Sequence, residues 1–153
     1  MAPFMKQNAS PMDHALALAK QAADAGEVPV GAVIMRDGEL VAAERNRMRE
    51  LGDPTAHAEL MAIRAALAAV GAQRLADCDL YVTLEPCTMC AGAIAHAKIR
   101  RLYYAADDPK GGAVESGVRF FAQPTCHHTP EVISGLGERR AADMLKAFFV
   151  ARR

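Results

Sequence analysis

Two short patterns constrain this chain more than anything else in it: His57-Ala58-Glu59, and Pro86-Cys87-Thr88-Met89-Cys90 well downstream. An imidazole and two thiols make three zinc ligands, one short of the four that close a structural site. The fold must therefore bring two distant segments to one point. Zinc held by three protein ligands leaves its fourth position to water, which becomes a nucleophile near neutral pH. Glu59 stands two residues from the histidine, where it can handle that water's protons without joining the metal. The expected centre is one zinc ion per chain on His57, Cys87 and Cys90, with Glu59 as the catalytic acid–base.

Rival readings fit less well. Cys-x-x-Cys by itself also describes a redox pair or half of a zinc knuckle. The redox reading leaves His57 and Glu59 without a role, and a knuckle needs a second ligand pair that the chain does not offer. Cys126, His127 and His128 invite a second metal site, but adjacent ligands strain tetrahedral geometry and no fourth is evident. Cys78 reads as an ordinary buried thiol.

Periodicity places these motifs. Ser10-Pro11-Met12-Asp13 is a capped helix start, with Met12, Ala15, Leu16 and Ala19 as its apolar stripe and Gly26 ending it. Val30–Met35 and Leu40–Ala43 flank Asp37-Gly38, a two-residue hairpin signal. His57 and Glu59 open a helix carrying Leu60, Ile63, Leu67 and Val70, with Gly71 as its stop. Leu80–Leu84 reads as a buried strand, Cys87–Ala97 as the next helix and Arg101–Ala105 as a strand. Around Phe120 a short helix is expected, at Glu131–Ser134 a last strand, and over Glu138–Val150 an amphipathic helix with Ala141, Met144, Leu145 and Phe148 on one side. A hairpin followed by alternating helices and strands predicts an α/β fold, a mixed sheet with helices on both faces.

The 153 residues, 52% hydrophobic, suit a single domain (1–153) with a loose tail over residues 1–9. No apolar run reaches the ~18 residues of a membrane span and no signal-peptide core stands at the N-terminus, so no membrane association is expected. Four cysteines without a disulfide framework point to a reducing, cytoplasmic setting.

His-x-Glu followed by Pro-Cys-x-x-Cys is the signature of zinc nucleobase deaminases. The chain further resembles the bacterial tRNA-specific adenosine deaminases of the cytidine deaminase-like superfamily. The resemblance rests on Leu84-Glu85-Pro86-Cys87-Thr88-Met89-Cys90-Ala91-Gly92-Ala93-Ile94, on Glu27-Val28-Pro29-Val30-Gly31-Ala32-Val33, on Asn46, and on Phe148-Phe149 followed by Arg152-Arg153. It runs from about Met12 onward. It implies a three-layer α/β/α fold around a five-stranded mixed sheet, and a homodimer that hydrolyses the wobble adenosine of a tRNA anticodon stem-loop to inosine. The zinc motif is shared across the superfamily and fixes the reaction class, whereas the flanking segments favour the tRNA substrate. A free nucleobase or nucleoside deaminase acting on guanine or cytosine is the alternative, and a zinc-stabilised binding module a third that Glu59 opposes.

By the same resemblance Asn46, Val30 and Leu84 line the base pocket and Asp108 and Lys110 approach the RNA, with Phe149 and Arg152 as further candidate contacts. Local readings stand beside these: an amide closing a turn for Asn46, plain core for Val30 and Leu84, an Asp-Pro turn for Asp108. The 18 basic and 18 acidic residues cancel, so distribution matters more than total. Basic groups cluster at Arg45/Arg47/Arg49, Lys98/Arg100/Arg101, Arg139/Arg140 and Arg152/Arg153. The segment from Gly111 to His128 departs from the resemblance, so contacts carried through it do not transfer.

Overall fold

A computed structural model describes residues 9–152. Residues 1–8, most of the expected tail, and Arg153 lie outside the described residues.

The first helix, α1 (Pro11–Asp24), starts on a capping box: the Ser10 hydroxyl accepts from the Asp13 amide, the Asp13 carboxylate accepts from the Ser10 amide, and Pro11 holds the first position. Its stripe of Met12, Ala15, Leu16, Ala19 and Ala22 is buried. Strands β1 (Gly31–Arg36) and β2 (Glu39–Arg45) form the expected hairpin. Asp37 (φ 50) and Gly38 (φ 77) both take positive φ, as a two-residue hairpin turn of the primed kind requires.

A single helical turn, α2 (Met48–Leu51), follows and had no sequence signal. Then come α3 (Ala58–Val70), β3 (Cys78–Leu84), α4 (Thr88–Ala97), β4 (Arg101–Ala106), a 3-10 turn at Phe120–Ala122, β5 (Glu131–Ser134) and α5 (Glu138–Val150). The sheet order is β2-β1-β3-β4-β5; β1 runs antiparallel to both neighbours, and β3, β4 and β5 are parallel.

Period-2 alternation divides the strands between two cores. Ala32, Ile34, Leu80, Val82, Leu102 and Tyr104 face α3 and α4, meeting Ala62, Ile63 and Ile94. Val33, Tyr81, Tyr103 and Ala105 face α1 and α5, meeting Met12, Leu16 and Ala141. The three-layer α/β/α architecture and the five-stranded mixed sheet are as the sequence implied. Because β3 and β4 are parallel, each strand's C-terminal end and the helix or loop after it lie at one edge of the sheet, the usual place for a site in such folds. Among the described residues no helix is long and apolar enough to cross a membrane.

Candidate active site

His57 is the N-cap of α3 and Cys87 the N-cap of α4, both with extended backbone (φ −72 and −73). Two helix N-termini thus point at one place, where free amides and the positive ends of the dipoles favour thiolates. Pro86 directs the chain out of β3 into that turn, and Cys90 follows within the first turn of α4. His57 Nδ1 lies 3.6 Å from Cys87 Sγ and 3.5 Å from Cys90 Sγ.

Those spacings test the metal. Zinc bonds of ~2.3 Å to sulfur and ~2.0–2.1 Å to nitrogen, held at a tetrahedral angle, separate the two ligand atoms by roughly 3.6 Å. The three groups fit zinc through Nδ1 with one corner left open. They are the one cluster among the described residues whose ligand atoms all lie within 4.8 Å of each other.

Glu59, in the first turn of α3, is 4% exposed. Burial is the main cause that raises its carboxyl to about 7, and the neighbouring His57 opposes the shift. The thiol pair divides. Hydrogen bonding from Cys90, against burial and with help from His57, lowers Cys87 to about 4, while Cys87 and burial push Cys90 upward. His57 is raised, chiefly by its hydrogen bond with Cys87. Cys87 is the more acidic thiol of the pair.

A cavity of about 240 Å³ opens onto this cluster, lined by Val28, Val30, Asn46, Met48, His57, Glu59, Leu84, Glu85, Cys87, Asp108 and Gly111. It is below the ~300–1,000 Å³ of typical drug-sized pockets, a size suited to one small ring system. An adjoining groove of about 630 Å³ shares Val28, Leu84, Asp108 and Gly111 and adds Asp107, Lys110, Leu145 and Phe149.

Of the expected substrate contacts, Val30, Asn46, Leu84 and Asp108 stand in the cavity wall, and Lys110 and Phe149 meet in the groove. Asn46 also works inside the protein: its Oδ1 accepts from the Ala58 amide (2.8 Å) and its Nδ2 donates to the Val28 carbonyl (3.1 Å). It ties the cavity wall to the start of α3. Asp108 closes its own turn, with Oδ1 accepting from the Lys110 and Gly111 amides. Arg152 lines neither space; its guanidinium lies 3.5 Å from the Phe148 ring centroid and donates to the Phe148 carbonyl.

Most of the basic clusters are engaged internally. Arg45 and Arg47 pair with Glu50, and Arg47 also with Glu44. Arg100 pairs with Asp79, Arg101 with Glu131 and Asp79, and Arg140 with Asp13. Cys126 donates to the His128 carbonyl and the His128 ring meets the Ile99 carbonyl, so this triplet closes a loop.

Two buried acids escaped the sequence reading. Glu27 accepts from the Arg49 and Glu50 amides and so caps α2, and Glu85 gathers the loop after β4. Both are 2% exposed. Burial pushes the Glu85 carboxyl up, but amides from Asp108, Ser116 and Glu115 outweigh it and hold the group below its usual value. The available signal was an acid inside an apolar segment one or two residues before a proline (Glu27-Val28-Pro29, Leu84-Glu85-Pro86), since an interior charge demands partners.

Residues 5–106 match the family profile described as the cytidine and deoxycytidylate deaminase zinc-binding region. The chain is 61% identical over 142 residues to the tRNA-specific adenosine deaminase of Agrobacterium fabrum, covering 93% of each chain. A solved structure from studies of A-to-I editing by tRNA:A34 deaminases at the wobble position superposes with a TM-score of 0.87 at 61% identity, over 88% of this chain and 98% of that one. A guanine deaminase structure from Bacillus subtilis is 36% identical, with a TM-score of 0.64, over 97% of this chain and 94% of that one.

Proposed function

The chain belongs to the cytidine and deoxycytidylate deaminase family, and on that premise we propose that it hydrolyses the wobble adenosine of tRNA anticodons to inosine. The observation that carries the reading is a buried Glu59 beside an open-cornered His57–Cys87–Cys90 cluster, at one base-sized cavity of a chain so close to the tRNA enzymes.

His57, Cys87 and Cys90 hold the metal. Zinc, when bound, lowers the pKa of water at its open corner toward roughly 7 and so supplies the nucleophile. Glu59 takes one proton from the water as it attacks and hands it to the ring nitrogen of the adenine, then takes the second proton from the new hydroxyl on the carbon and hands it to the departing amine. The carbon–nitrogen bond to the exocyclic group breaks, a carbon–oxygen bond forms, and ammonia leaves. Its burial beside the ligand cluster suits Glu59 to this exchange, because a carboxylate screened from bulk water hands protons only to the groups it faces.

Asn46 orients the base with the amide hydrogen it does not give to Val28, and Val30 and Leu84 exclude water on the apolar sides. A base too deep for a paired helix must be flipped out to arrive here. Its neighbours then lie in the adjoining groove, where Asp108 and Lys110 meet the RNA backbone and Phe149 offers a stacking face. Arg152, held on the Phe148 ring outside both spaces, adds positive charge at the end of the helix that carries Phe149. The chain acts as one deaminase domain over residues 1–153, as a cytoplasmic homodimer that binds RNA.

The 36% likeness to a guanine deaminase supports a second reading, free-purine hydrolysis at the same centre. The test offers the zinc protein an anticodon stem-loop with a wobble adenosine and, separately, free guanine, cytosine and adenosine. Inosine in the RNA, with little turnover of the free compounds, is expected. Efficient guanine turnover with an unedited stem-loop would replace the main reading by the second.

A further inference from the structure

Glu85 stands between the end of β3 and the Pro86-Cys87 turn, two residues from a metal ligand, yet the proton transfers have no use for it. Its Oε1 accepts from the Asp108 amide (3.0 Å) and the Ser116 hydroxyl (2.9 Å). Its Oε2 accepts from the amides of Val114 (3.1 Å), Glu115 (2.9 Å) and Ser116 (2.8 Å). All five donors come from a single segment, residues 108–116, that has no helix or strand of its own.

The segment is shaped around that carboxylate. A Cβ on Gly112 would stand 2.5 Å from Glu85 Cδ and 2.6 Å from the Asp108 carbonyl, closer than real side chains approach. Gly112 donates to the Asp108 carbonyl and Ala113 to the Pro86 carbonyl, so the loop doubles back against the metal-side turn. A second clamp joins the Tyr104 hydroxyl of β4 to Glu115. Asp108 and Gly111 of this segment form part of the cavity wall, and Lys110 faces the groove.

A buried acid with a purely architectural task would tie helices or strands together, as Glu27 does for α2. Glu85 ties down only the irregular wall of the substrate space.

We propose that Glu85 is a positioning residue: its carboxylate folds residues 108–116 into one wall of the cavity and thereby sets how well the substrate RNA fits, leaving the chemistry to Glu59. The proposal rests on the tRNA reading above. It deepens that reading by placing part of the substrate recognition on a carboxylate whose oxygens are taken up by the loop.

The experiment uses the zinc-loaded protein and two variants that disturb the wall from opposite sides. Glu85→Gln keeps the shape of the side chain but turns one acceptor into a donor facing N–H groups. Gly112→Ala leaves Glu85 intact and forces the loop off it. Zinc content, amide hydrogen exchange and steady-state kinetics on a wobble-adenosine stem-loop are measured.

Both variants are expected to retain zinc and the protection of α3 and α4, while the amides of Asp108, Val114, Glu115 and Ser116 lose protection at least about tenfold. KM for the stem-loop should rise about tenfold or more with kcat within about twofold, the pattern of a disturbed binding wall. Unchanged protection in those amides overturns the anchor, and reduced protection with unchanged KM overturns the positioning role. A fall in kcat alone at constant KM does the same. If Glu85→Gln does not fold, Gly112→Ala still decides. A wild-type protein that leaves the stem-loop unedited removes the tRNA reading independently, and the exchange measurement then still decides the anchor.

Discussion

His57 and Cys87 sit at the N-caps of α3 and α4, helices whose inner faces are buried against the sheet, whereas Asp108, Lys110 and Phe149 stand across the same space on a loop and on an exposed helical flank. Glu59 and Cys90 are almost fully enclosed; Phe149 is 52% exposed. The ligand side is fixed by two helix starts, regular ladders and a dense core. The far side depends on an Asx turn at Asp108 and on the single carboxylate of Glu85. The metal-ligand cluster is mounted on regular elements, and the facing wall is left to irregular chain and an exposed helical flank.

Glu59→Ala is the largest expected break in that comparison. Deamination should fall by at least ~10²–10⁴, the usual worth of one positioned acid–base, with zinc and RNA affinity kept. His57→Ala or Cys87→Ala should instead lose metal and activity together. Metal analysis beside kinetics separates the two, and near-normal turnover in Glu59→Ala would remove the proton-shuttle role.

Stability sharpens the contrast next. Ile94, fully buried on α4 behind the ligands, should lose about 2–5 kcal/mol when cut to alanine, whereas Val150→Ala on the exposed end of α5 should change stability by less than about 0.5 kcal/mol. Denaturant unfolding measures both, and equal losses would mean that the two sides are built alike.

Phe149→Ala probes the recognition side. RNA binding should weaken by about 1–3 kcal/mol if a base stacks on the ring. Folding stability should lose no more than the edge contact with Phe148 (centroids 5.3 Å apart), about 0.5–1.5 kcal/mol. Lys110→Ala should weaken binding similarly at low salt and flatten the salt dependence, by about 0.7 in slope for each single-strand phosphate that the side chain neutralises. Salt-insensitive binding in the wild-type protein would count against the RNA groove.

The smallest expected effect lies outside both regions, in α1. His14 is 3% exposed with no hydrogen-bond partner for Nδ1 among the described residues, and burial lowers its pKa below the ordinary 6.5. The unfolded chain therefore binds more protons as acidity rises, so this stabilisation is complete above pH 6.5 and is lost as pH falls toward the folded pKa. His14→Leu should remove part of the acid-side slope of stability, and identical slopes in the two proteins would show that His14 carries none of it.

Much of this protein was legible before any coordinates. The three ligands and the acid beside them follow from residue type and spacing, because zinc accepts few donor sets and a helix start brings His57 and Glu59 into one turn. Hairpin chemistry at Asp37-Gly38, the capping box at Ser10 and the 3.6-residue stripes are local rules, and local rules are written in adjacent residues. The α2 turn, capped by Glu27, and the pairing of Arg100 and Arg101 with Asp79 and of Arg140 with Asp13 were not legible, since each depends on which distant segment arrives beside it. The Arg47–Glu50 pair and the Arg152–Phe148 stack are, by contrast, local contacts at helical spacing. Glu85 makes the point most sharply: sequence shows only an acid before Pro86, while its five donors arrive from residues 23 to 31 positions away. By itself the sequence determined the metal, the reaction class and the order of layers. Only the tertiary structure decided how the cavity is walled, because a buried charge is satisfied by whichever amides the fold brings to it, and periodicity carries no record of them.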